Sequence, residues 1–191
     1  MKSLHAYLNR YVSALISEKD FEMIAGHFTP RKLKRRHYLL QEGQIADYFA
    51  FIVKGSMRKY YLDDKGKEHV INLYIENWWA GDRESFTLLT PTQYNIQACE
   101  DCEMLIITKE NKEKLCRQSV IFNEFVVRLD EKYSIASQKR IASSISSSAK
   151  ARYDDFAACY PEFLQRFPQH LIASYLGITK DTLSRVRRQS L

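Results

Sequence analysis

Between Thr108 and Tyr160 the chain contains neither proline nor glycine. Proline breaks a helix and glycine weakens one, so a long stretch free of both allows helix to run on. Within it Phe122, Phe125, Val126, Leu129, Tyr133 and Ala136 recur at spacings of three and four, an amphipathic stripe. The preceding part of the chain follows a different rule. From Arg31 the period is two, with apolar runs at Tyr38–Leu40, Tyr48–Val53, Met57–Leu62, Val70–Ile75, Tyr94–Cys99 and Met104–Ile107. Turn residues separate them at Glu42-Gly43, Lys54-Gly55 and Asp63-Asp64-Lys65-Gly66. Short strands at this spacing predict an antiparallel barrel or jelly roll. Ahead of it, residues 3–26 read as two short helices. Leu4, Tyr7, Leu8, Tyr11, Val12 and Leu15 form the stripe of the first, a Ser17 to Asp20 cap opens the second, and Pro30 closes the section.

The excess of 29 Lys and Arg over 23 Asp and Glu, a net charge of +6, is compatible with a polyanionic partner. The basic run Arg31, Lys32, Lys34, Arg35 and Arg36 alternates with Leu33 and reads as a solvated strand face rather than a nucleic-acid patch. No apolar run reaches the length of a membrane span, and the N-terminal stretch has no signal-peptide pattern, so a cytoplasmic protein is expected. Cys99 and Cys102 form a single CxxC without a second pair or a histidine pair to complete a zinc site. They are expected to be reduced thiols flanking a strand turn. No metal is expected.

The last stretch, Phe167 to Leu191, reads as helix, turn, helix. Ala173 is small where two helices must cross, and Gly177 sits at the turn. Ile172, Leu176, Ile178, Leu183 and Val186 supply apolar contacts, and Thr179 is placed to cap the second helix with Asp181 near its positive end. Lys180, Thr182, Ser184, Arg185, Arg187 and Arg188 remain for an outer face. From Ile178 to Leu191 four cations stand against one anion. Such side chains reach phosphates and base edges.

Leu39 to Gly55, with glycines at its tight turns and an apolar strand between them, resembles the early strands of a cyclic-nucleotide-binding domain. Followed by a C-terminal helix-turn-helix, the order of parts is similar to the Crp/Fnr family of bacterial transcription regulators. The implied fold class is α+β. N-terminal helices and an antiparallel β jelly roll lead to a long dimerisation helix and a helical helix-turn-helix domain lacking an evident wing. The implied domains are 1–115, a sensor; 116–145, a connecting and dimerisation helix; and 146–191, a DNA-binding unit. The run Ser143-Ser144-Ile145-Ser146-Ser147-Ser148 is the hinge candidate, near which the long helix is expected to fray or break.

The resemblance further implies double-stranded DNA and a second copy of the chain as partners, with RNA polymerase as a third. Its expected DNA-binding residues are Thr179, Lys180, Asp181, Thr182, Ser184, Arg185 and Arg188. Arg185 would pair with a guanine, Asp181 would accept from a cytosine amino group, and Thr179, Thr182 and Ser184 would hold the DNA backbone. Regulators of this type continue into a β-wing after the recognition helix, whereas this sequence ends three residues past Arg188. Low affinity is the expectation that follows.

In the same resemblance the effector cassette corresponds to residues 81–93. Gly81 matches and Asp82 keeps the ribose-binding charge on a shorter side chain. Arg83 stands where a leucine is usual, Thr92 replaces the phosphate-neutralising arginine, and Gln93 replaces its serine neighbour. A phosphate desolvated without a cation is strongly disfavoured, so cyclic AMP is not expected to bind. No cofactor is expected; another small effector, with Trp78 and Trp79 at its edge, or none, are the alternatives. These tryptophans read more readily as core. The competing function is a ligand sensor or scaffold whose helix-turn-helix only packs. An enzyme is not expected, because the five histidines are scattered and no GxSxG, HExxH or P-loop pattern occurs.

Overall fold

The computed structural model describes residues 1–189; Ser190 and Leu191, and with them the reading that the chain ends without a wing, lie outside the described residues. Two helices, α1 (Lys2–Leu8) and α2 (Glu18–Ala25), precede eight strands. These are β1 (Thr29–Leu33), β2 (Tyr38–Leu40), β3 (Tyr48–Lys54), β4 (Met57–Leu62), β5 (Glu68–Tyr74), β6 (Trp79–Ala80), β7 (Asn95–Ala98) and β8 (Cys102–Thr108). A short α3 (Arg83–Leu88) lies between β6 and β7. The rest is helical: α4 (Lys109–Gln118), α5 (Val120–Ser146), α6 (Ala149–Cys159), α7 (Pro161–Arg166), α8 (Gln169–Tyr175) and α9 (Lys180–Gln189).

The strands form two four-stranded antiparallel sheets, ordered β1-β8-β3-β6 and β2-β7-β4-β5. Their facing sides share a core containing Leu40, Ala50, Ile52, Met57, Ile96, Met104 and Ile106. Alternate residues of β3 and β8 point the other way. Phe51, Leu105 and Ile107 are buried against Leu4, Leu8, Ile24, Phe122 and Phe125 of the flanking helices. The strand period sends Ala50 and Ile52 inward against the facing sheet and Phe51 outward against the helices, so both faces of β3 are covered. This is why β3 reads as one unbroken apolar run. Each such large side chain taken from water stabilises the fold by roughly 1.5–3 kcal/mol. Tyr60, Val70, Leu73 and Ile75 of the second sheet are buried with Tyr153, Phe156, Phe163, Leu171 and Leu183 of the C-terminal helices.

Several local expectations are corrected. The stripe to Leu15 does not continue as helix: α1 ends at Leu8, Asn9 caps it, and Leu15 is 84% exposed. The Asn9 side chain instead accepts the Ile16 N–H, turning the chain early. Pro30 lies inside β1, an edge strand, where a missing N–H is tolerated. The long helical region is split at Ser119, whose hydroxyl caps α5 by accepting the Phe122 N–H. Residues 143–146 remain helical, with the Ser144 and Ser146 hydroxyls donating to carbonyls of the preceding turn. The break falls at Ser147, inside the serine run where it was expected, and Ser148 caps α6.

Candidate nucleic-acid interface and effector pocket

α8 ends in a Schellman turn. The Ile178 N–H reaches the Ala173 carbonyl at 3.0 Å and the Gly177 N–H the Ser174 carbonyl at 3.1 Å, with Gly177 at φ +66°. That closing geometry needs a left-handed residue, which a glycine supplies without strain. Ala173 is 2% exposed, in the core cluster that holds Leu183 and Val186 of α9. Thr179 then opens α9: its hydroxyl accepts the Thr182 N–H at 3.1 Å.

On α9, Leu183 and Val186 are buried, whereas Lys180, Asp181, Arg185, Arg187 and Arg188 are exposed and Thr182 and Ser184 half-buried. The Thr182 hydroxyl accepts from Arg185 at 3.3 Å, and Ser184 accepts from Arg188 at 3.5 Å. The expected DNA-binding residues therefore share one segment, Thr179 being a helix cap and Thr182 and Ser184 arginine supports. In the basic run at and after β1, Lys32 pairs with Glu103 at 3.3 Å and Lys34 with Asp101 at 2.9 Å.

α8 is seated on β5, an edge strand of its sheet. Ser174 Oγ accepts the Val70 N–H at 2.9 Å. Below it, Arg166 on α7 donates to Glu76 at 3.1 Å and to Glu100 at 2.7 Å. The Arg166 hydrogen bond holds the Glu100 carboxyl below its usual range. At Glu76 burial pushes the other way, but Arg166 and the Gly55 N–H together outweigh it. Nothing in the sequence singled out Arg166. Its two acceptors lie 90 and 66 positions away.

The cassette residues fall in two groups. Asp82 and Thr92, 4% and 3% exposed, are brought together, with Thr92 Oγ1 donating to Asp82 Oδ2 at 2.7 Å. Lys59 on β4 completes the cluster, donating to Asp82 Oδ1 at 2.8 Å, with its ammonium 4.0 Å from the Tyr94 ring centroid. Burial lowers the Lys59 pKa while Asp82 pulls it back up. Lys59 was missed, although a signal existed: it shares strand parity with the buried Met57, so its charge is aimed inward.

The other group is elsewhere. Arg83 pairs with Asp130 of α5 at 2.5 Å and lies 4.2 Å from the Tyr133 ring centroid. Gln93 is exposed. Gly81 is required by packing, since a Cβ there would lie 2.3 Å from the Phe49 ring. Trp78 packs on Tyr160 and Phe163, and Trp79 on Phe28, Phe51 and Phe125. Both serve as core. Two recesses of about 420 and 340 Å³ lie along α5 at Arg128–Lys139 and beside Pro30 and Met104, away from Asp82 and Thr92.

Cys99 and Cys102 are free thiols that burial pushes up to about 11 and about 12, leaving little thiolate at neutral pH. His69 is engaged with Asp63 at 2.9 Å. Among the described residues no His, Cys, Asp and Glu cluster could hold a metal, and no helix is long and apolar enough to cross a membrane.

Two antiparallel sheets with a short helix between β6 and β7 lead through the long α5 to the helix pair α8 and α9, an architecture of the cyclic-nucleotide-binding-like kind. Residues 30–119 match the family model of the cyclic nucleotide-binding domain. The anaerobic regulatory protein of Bacillus subtilis (strain 168) is 28% identical over 115 residues, which are 60% of this chain. The match spans about half, 48%, of that protein's length. The catabolite activator protein of Thermus thermophilus has the same fold, with a TM-score of 0.61 at 17% identity over 96% of this chain and 85% of its own. So has FixK2 from Bradyrhizobium japonicum, at 0.67 and 18% over 85% and 83%. A CooA mutant from Carboxydothermus hydrogenoformans scores 0.69 at 16% over 87% and 78%.

Proposed function

We propose that the chain is a sequence-specific DNA-binding transcription regulator of Crp/Fnr type, working as a homodimer in the cytoplasm. The observation that carries this is α9: a capped helix with an apolar inner face and an exposed face bearing Lys180, Arg185, Arg187 and Arg188. Arg185 reads a guanine, Asp181 accepts from a cytosine, Lys180 and Arg188 meet phosphates or base edges, and Thr179, Thr182 and Ser184 support them. Residues 1–115 are the sensor unit, 116–145 the connector and 146–191 the DNA-binding unit.

Dimerisation is supported by α5, on which Val127, Ile135, Ile141 and Ile145 are 49%, 54%, 60% and 80% exposed. A second copy of the helix would bury them and set two recognition helices about one DNA turn apart. RNA polymerase is the partner such a regulator would engage. The roll acts without cyclic AMP, because Thr92 offers no cation to a phosphate and Arg83 is held by Asp130.

Selection of bound DNA from a random pool tests this reading. A palindromic consensus supports it; no binding even at low salt overturns it. The second reading, a scaffold or small-ligand module, is favoured by the seating of α8 on β5, which makes the helix pair part of a shared core. That reading gains if no DNA is retained.

A further inference from the structure

We infer that Lys59 is a built-in occupant of the effector cassette: its ammonium, delivered from β4 to Asp82, holds α3 and α5 in place as a bound small molecule would. The inference rests on the regulator reading above and names how that regulator is set.

Both oxygens of the Asp82 carboxylate are already used, Oδ1 by Lys59 and Oδ2 by Thr92. Turning the Thr92 hydroxyl away from Asp82 would also release the Tyr94 N–H, which it accepts at 3.1 Å. A ligand hydroxyl seeking Asp82 would have to displace the ammonium of a lysine that is 6% exposed and has Tyr94 beside it. Expelling one partner of a buried pair strands the other charge, a strongly unfavourable change.

The cluster is also tied to the rest of the molecule. Asp82 starts α3, its carbonyl accepting the Phe86 N–H at 2.9 Å. Its neighbour Arg83 reaches Asp130 and Tyr133 on α5. Two turns of α5 beyond Tyr133, Arg140 donates to the Ile71 carbonyl and stacks 4.3 Å from the Tyr175 ring centroid of α8. Ile71 is the extra residue at the β4–β5 irregularity, where Lys59 pairs with Asn72 and Tyr60 with Val70. Lys59 thus sits where β4, α3, α5 and α8 are linked by consecutive contacts. Contact alone is not coupling, so the test measures coupling directly.

Full-length wild type, Lys59→Met and the double variant Lys59→Met/Asp82→Asn are compared by amide hydrogen exchange and by DNA binding. The double variant carries no stranded buried charge and serves if the single one does not fold. The expected result is faster exchange in α3 and at residues 128–140 in the variants, roughly tenfold or more, with a similar loss of DNA affinity. Wild-type affinity is expected to be unchanged by millimolar cyclic AMP or cyclic GMP. Exchange in the double variant equal to wild type, or a roughly tenfold rise in wild-type affinity on adding either nucleotide, would overturn the inference. If wild type retains no DNA, the regulator reading fails, and the exchange arm still decides whether Lys59 holds α3 and α5.

Discussion

The Ser174 hydroxyl of α8 accepts the backbone N–H of Val70 on β5 at 2.9 Å, so a helix of the candidate reading head occupies a place that another strand would take at a sheet edge. An exposed edge invites pairing with other chains, and here a helix closes it. The same hydroxyl approaches the Glu68 carbonyl at 3.4 Å. Ser174→Ala leaves the part-buried Val70 amide without its partner and is expected to destabilise the fold by about 1–3 kcal/mol. Chemical denaturation measures it; Ser174→Thr, which keeps the hydroxyl, is expected to lose less.

The Arg166 bridge makes the same seating acid-sensitive. Glu76 and Glu100 titrate below the ordinary glutamate value of 4.5 in the fold. Their folded pKa values are depressed, so the stabilisation is present above the unfolded value and is lost as pH falls through the folded ones. The side chains are 31% and 40% exposed, which keeps the effect modest. Thermal melts between neutrality and pH 3 are expected to fall less steeply in Glu76→Gln/Glu100→Gln than in wild type.

Gly81 is fixed by space rather than by backbone angle. Gly81→Ala drives a methyl into the Phe49 ring, the nearest ring atom being 2.3 Å away, and is expected to destabilise by about 1–3 kcal/mol. Combining it with Phe49→Leu should recover part of the loss in the same denaturation experiment.

On α5, Ile141 and Ile145 are among the most exposed large apolar side chains. If a second copy covers them, Ile141→Asp places an unpaired charge in that seam. Sedimentation is expected to show wild-type dimer and variant monomer, with circular dichroism unchanged. A monomeric wild type would remove the dimer from the reading.

Arg185 is supported by Thr182 and faces outward. Arg185→Ala is expected to weaken cognate DNA binding by about 1–3 kcal/mol and to relax specificity at one position. Equal loss on all sequences, measured by competition binding, would make it a phosphate contact instead.

What could be read without coordinates was local. The glycine turn at Gly177, the Thr179 cap and the inward Leu183 and Val186 lie within a dozen residues, so their chemistry is visible in the chain itself. The strand runs and their turns were legible for the same reason, although β6, only Trp79–Ala80, was too short to carry a period. A boundary that depends on capping competition, such as Asn9 against Leu15, was not, whereas the break at Ser147 falls inside the serine run.

The cassette shows the remaining division. Thr92 in place of an arginine is apparent from the sequence and argues against a bound phosphate. Only folding shows what stands there instead, because Lys59 and Asp82 are 23 positions apart and meet when β4 and α3 close on one another. Arg166 and Glu76, separated by 90 positions, follow the same rule. A buried charge must find a partner wherever the topology brings one within reach, and that choice belongs to the packed chain rather than to any stretch of it.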